Sequence, residues 1–211
     1  MEQPLQAAVR ALTRPDQAEF LSDNHLLTVI VISDEEDCSI EDSALFVTSE
    51  WNDPMYRNTA CNYPESQELD YLFDADYFYT ALTHAKHDRS DAVLFSAFVG
   101  VPYGDSSPCQ GAGTTLDGCL DDPAMALVPQ TATWVDPTTG DPIDYVRFTP
   151  ACTRLDADER PLTEAQPGRR FVKLAQKFGD FAYVYSICNP DWRPAMAEVA
   201  EMINARVIAA D

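Results

Sequence analysis

Four consecutive carboxylates, Asp34, Glu35, Glu36 and Asp37, followed by Cys38 and Ser39, close an apolar run that begins at Leu26. Oxygen ligands at this density suit a hard divalent cation, Mg2+ or Ca2+. In an open α/β sheet, ligands bind at the carboxyl ends of the strands, where Asp34 is expected to sit. Asp34 is therefore the prospective metal ligand, with Glu36, Asp37 and Ser39 as secondary candidates. The stretch is not an EF-hand, because neither DEEDCS nor DADYFY carries the glycine needed at the sixth loop position. The competing reading is a solvated acidic turn anchored by a disulfide at Cys38.

Other residues are weaker candidates. His84 and His87 lie one helical turn apart, a spacing that can hold zinc, but the glutamate base of a zincin is absent and an exposed helix face is the simpler reading. The segment Gly111–Thr115 is glycine-rich without a strand before it or a helix after it, so it does not read as a phosphate loop. Ser33, Ser39 and Ser96 have no Gly-x-Ser-x-Gly context, and no carboxylate pair stands out as acid and base. Arg169 and Arg170 could grip an anion at the start of their helix. Trp51, Trp134 and Trp192 are assignable to neither core nor binding from sequence. Nothing here motivates an enzyme.

Cys38, Cys61, Cys109, Cys119, Cys152 and Cys188 form no Cys-x-x-Cys motif. An even set without metal spacing reads as disulfides, hence an oxidising, extracytoplasmic compartment: periplasm, cell surface or exterior. The first residues, MEQPLQAAVRALTRPDQAEFL, lack the basic and apolar regions of a signal peptide, so an export signal is expected upstream. No apolar run is long enough to span a bilayer. The balance of 14 basic against 35 acidic residues, a net charge of -21, disfavours nucleic acid and anionic lipid as partners and favours cations or basic proteins.

These residues must be positioned by regular elements. Leu5, Ala8, Val9 and Leu12 predict an amphipathic helix ending near Pro15. Leu26–Ser33 reads as a strand buried in a parallel sheet, and residues 43–68 as a loop. A helix is expected over Asp74–His87, a strand over Asp91–Gly100, and a disulfide-bearing insertion over 101–166, in which 131–148 forms a hairpin. Pro167 and Gly179 punctuate a further helix. Phe181–Cys188 is a third strand, and Asp191 caps a final helix with Met196, Val199, Ala200 and Ile203 on one face. The alternation predicts one domain over 1–211: a three-layer, Rossmann-like parallel sheet flanked by helices.

The run LLTVIVISDEEDCS, followed by a strand, PGRRFVKLAQKFG, the strand YVYSIC and the helix PAMAEVAEMI, resembles the C-terminal half of a von Willebrand factor A-type domain. It is most similar to secreted bacterial members whose central strand ends in Asp-Glu-Asp-Asp-Cys-Ser. The resemblance implies an extracytoplasmic protein-binding or adhesion module without enzymatic activity, its cation shell completed by an acidic group of the partner. Of that family's ligand set only the Asp after the fourth strand carries over, onto Asp34; the nearest imitation of Asp-x-Ser-x-Ser, DCSIE, ends in Glu41. The family's N-terminal strands have no counterpart, which would leave the strand from Leu26 at a sheet edge. Such an edge calls for a missing N-terminal half, a partner chain, or cover by the first helix or the hairpin. The alternatives are a hydrolase using a metal held by the acidic loop with His84 or His87, and a metal-free structural module. Of the 15 pairings that six cysteines allow, the expected set is Cys109–Cys119, from proximity, with Cys38–Cys61 and Cys152–Cys188.

Overall fold

The computed structural model describes residues 2–17, 19–22, 25–62, 71–104 and 107–210, with side chains described as far as Val207. Helix α1 spans Pro4–Leu12, with proline at its first position, where no backbone N–H is needed; Leu5 and Val9 are its buried residues of the apolar stripe. Strand β1 is Leu27–Ile32. Helix α2, Ala75–His84, starts on Asp74, whose carboxylate accepts the Tyr77 N–H at 2.7 Å. Strand β2, Val93–Val99, is buried at every position.

Between β2 and the next long helix lie a two-residue strand β3, Gly111–Ala112, and two hairpins. One pairs β4, Pro129–Val135, with β5, Pro142–Phe148; the other pairs β6, Cys152–Leu155, with β7, Pro161–Ala165. Helix α3, Arg169–Phe178, strand β8, Ala182–Ser186, and helix α4, Arg193–Ala210, complete the chain. Among the described residues no helix is long and apolar enough to cross a membrane.

The main sheet runs β1-β2-β8-β3. The first three strands are parallel, with Leu27 opposite Val93 and Phe95 opposite Ala182, while β3 is antiparallel to β8. The sheet is therefore α/β and mixed rather than wholly parallel. Alternation sorts the side chains. Val29 and Val31 of β1, Phe95, Ala97 and Val99 of β2 and Val184 of β8 pack against α1, α2 and α3. On the opposite face, Phe98 and Tyr185 pack with Ala195 of α4 and with Trp192. Helix α4 leaves β1 uncovered there: Ile30 is 43% and Ile32 58% exposed.

Three details correct the sequence reading. Residues 43–62 are not an open loop but a chain of short helical turns around Leu45, Cys61 and Leu72; the rest of that stretch, 63–68, lies outside the described residues. The insertion holds a second hairpin. Its turn is built by Asp156, whose Oδ1 accepts the N–H groups of Asp158 and Arg160. Helix α4 buries Ala195 and Val199, leaving Met196 exposed, because the sheet meets it one residue off the expected stripe. The disulfides are Cys38–Cys61, Cys109–Cys119 and Cys152–Cys188, the expected set; they fit an oxidising, extracytoplasmic environment.

Candidate functional site

The carboxyl end of β1 turns inward. Ser33 donates its N–H to Phe98 O at 3.1 Å and its hydroxyl to Glu2 Oε2 at 2.8 Å. Asp34 has an exposed side chain, and its carbonyl takes the Gln166 N–H at 2.8 Å. Glu36 and Asp37 are buried.

Glu36 Oε1 accepts the Asp37 N–H at 3.0 Å, and both its oxygens lie 3.2 Å from the N–H of Arg170, in the first turn of α3. Asp37 Oδ1 accepts the Leu5 N–H, in the first turn of α1, at 3.1 Å and the Ser39 hydroxyl at 2.8 Å. Its Oδ2 accepts the Ser39 N–H at 3.1 Å and Arg170 Nε at 3.2 Å. Ser39 Oγ in turn accepts the Gln6 N–H, and Arg170 Nη2 donates to Phe73 O.

Two helix N-termini, whose free N–H groups and positive dipole ends attract anions, are thus bound by the two buried carboxylates. Burial pushes the Glu36 carboxyl up to about 7, outweighing the opposing pull of Arg170. The four predicted ligands share one loop but not one point: Asp34 faces solvent, whereas Glu36, Asp37 and Ser39 hold α1 to α3. Among the described residues no group of three or more His, Cys, Asp and Glu side chains is placed to hold a metal.

The other candidates are scattered. Helix α2 begins near this turn and carries His84 at its far end, about 15 Å away by helical rise. His84 is exposed and 3.2 Å from Asp88; His87 is exposed as well. The acidic loop and these histidines are not brought together. Arg169 donates to the carbonyls of Leu120 and Met125, which pins the insertion to α3. Gly113 is where the chain crosses α3: a Cβ there would lie 2.2 Å from Ala175 O.

Residues 166–168 lie across the ends of β1 and β2, through Gln166 N–H to Asp34 O and Gly168 N–H to Gly100 O, both 2.8 Å. Beyond β8 the sheet end stays open. A cleft of about 780 Å³ is lined there by Arg154, Thr163, Ile187, Asn189, Trp192 and Met196, among others. No local motif announces it, because its walls come from β6, β7 and the turn into α4; Trp192 was the one residue whose type could have drawn attention. Compared with protein-family models, with curated proteins and with solved structures, the chain finds no match.

Proposed function

We propose that this chain is an extracytoplasmic protein-binding module of von Willebrand factor A type, which receives an extended segment of its partner along the open edge of β1. The observation that carries this reading is the position of β1. It is an apolar strand at the end of the sheet order, with Ile30 and Ile32 exposed.

Ser33 N–H reaches Phe98 O, so by alternation the groups of Val29 and Val31 face β2, and those of Thr28, Ile30 and Ile32 face outward. A row of outward N–H and C=O groups beside exposed isoleucines is a template for strand addition. Helix α1 does not cover it, since Leu5 and Val9 are spent on the face shared with α2 and α3. The three parallel strands with helices between them support the family reading, and the disulfides support the compartment. A net charge of -21 favours a basic segment. Binding proceeds without a cation bridge in this reading, because Glu36 and Asp37 are engaged by protein donors.

Selection of random peptides against the folded chain tests it. The expected winners combine β-branched and basic residues, slow amide exchange at Thr28, Ile30 and Ile32, and lose at least about tenfold in affinity on Ile30→Lys/Ile32→Lys, the loss of two apolar contacts. Peptides that bind the double variant equally and leave those amides unprotected would refute strand addition.

A further inference from the structure

We propose that the cleft at the carboxyl end of β8 binds a carboxylate carried on an apolar body, with Arg154 receiving the carboxylate and Trp192 and Met196 the body. The site is separate from the β1 edge.

Arg154 has an unmet demand. Its Nε is shielded from solvent without an acceptor, and it makes no ion pair among the described residues, although the chain has 35 acidic residues. Its neighbour Arg147 likewise has a shielded Nε without an acceptor, but its Nη1 is paired with Glu164 at 2.7 Å, whereas Arg154 has no such pairing among the described residues. Arg154 lines the cleft, and a guanidinium meets a carboxylate with two parallel hydrogen bonds.

The surroundings are built rather than incidental. Arg154 and Thr163 are cross-strand partners and therefore share a face of the β6–β7 hairpin, whereas Glu164 stands on the other. The Cys152–Cys188 disulfide fastens this hairpin to the turn that supplies Ile187 and Asn189, so both walls are tied by a covalent bond. Asn189 Oδ1 accepts the Asp191 N–H at 3.1 Å, which leaves its amide N–H groups as donors. Trp192 is held against Phe98 with ring centroids 5.2 Å apart, and Met196 is 47% exposed beside it.

The charge points the same way. Asp191, the one acid lining the cleft among the described residues, is occupied by Arg193, whose Nε and Nη2 both lie 2.8 Å from its oxygens. Arg154 therefore leaves the cleft positive in a strongly acidic protein, a local well for an anion. One guanidinium matches the single charge of a carboxylate rather than the nearly double charge of a phosphate, and the Thr163 hydroxyl and Asn189 amide supply further donors. About 780 Å³ accommodates a small organic acid or the last residues of a peptide.

Calorimetric titration with N-acetyl-phenylalanine, its amide, and acetyl-Gly-Ala-Ala-Phe with free or amidated carboxyl terminus decides the matter. Both acids are expected to bind, their amides at least about tenfold more weakly, and Arg154→Gln to lose a similar factor with an unchanged melting temperature. Arg154→Lys, which keeps the charge but not the fork, should fall between. A tighter tetrapeptide acid identifies a chain terminus as ligand, and equal affinities a free acid. Equal binding of acids and amides on the wild-type chain, full affinity in Arg154→Gln, or no binding of any probe at millimolar concentration would overturn the proposal. Ile30→Lys/Ile32→Lys keeps acid binding intact, which separates this outcome from that at the β1 edge.

Discussion

A carboxylate in a protein interior is tolerated only where donors replace water, and Glu36 and Asp37 meet this condition unequally. Asp37 has four donors, one of them a guanidinium. Glu36 has two backbone N–H groups, too few to offset its burial, and its carboxyl rises from the ordinary 4.5 to about 7. The folded protein thus holds this proton more tightly than the unfolded chain does. The contribution is greatest below about pH 4.5 and is lost as pH rises through about 7, amounting to about 3 kcal/mol at about 1.4 kcal/mol per pH unit. Urea unfolding of Glu36→Gln should lack this decline between pH 5 and 8 and match or exceed wild-type stability at pH 8. A parallel pH profile in the two proteins would show that Glu36 stays charged throughout.

At the scale of elements, the crossing of residues 166–168 over the strand ends decides which part of the sheet end is open. The crossing depends on Gly100, where a Cβ would lie 1.8 Å from Gln166 O. Gly100→Ala should cost about 3 kcal/mol in urea unfolding, since backbone has to move. A neutral substitution would mean that the segment yields freely. Which elements were legible follows from the same distinction. The strands Leu27–Ile32 and Val93–Val99 and the helix Arg169–Phe178 carry local patterns of alternation, apolar runs and punctuation. The hairpin β6–β7 was missed because its strands are short, mixed in polarity and paired mainly with each other. The exposed Met196 was misplaced because a helix stripe says that a face is buried, not how a sheet meets it.

For the whole molecule, charge and topology pull in different directions. A net charge of -21 repels itself and weakens the compact state, while the open β1 edge invites pairing with another copy, which the same repulsion opposes. Raising NaCl from about 20 mM to about 500 mM shortens the screening length from roughly 20 Å to roughly 4 Å. The melting temperature in a calorimetric scan should climb by several degrees, and light scattering should report self-association at high salt that Ile30→Lys/Ile32→Lys abolishes. A salt-independent melting temperature would mean that counter-charges already balance locally, as Arg170 and Asp37 do.

What the sequence by itself determined is what depends on near neighbours: the apolar strands, the helix with its proline and glycine boundaries, the acidity, and an even set of cysteines without metal spacing. The tertiary structure decided where each polar group finds its partner. Asp37 reads as one of four solvated carboxylates until Leu5, 32 positions away, and Arg170, 133 positions away, close on it. The cleft likewise lies between segments far apart in sequence, the hairpin of Arg154 and the turn of Asn189 and Trp192, which Cys152 and Cys188, 36 positions apart, join. Periodicity is a property of a segment, whereas the satisfaction of a buried charge is a property of the folded chain, and no local pattern encodes it.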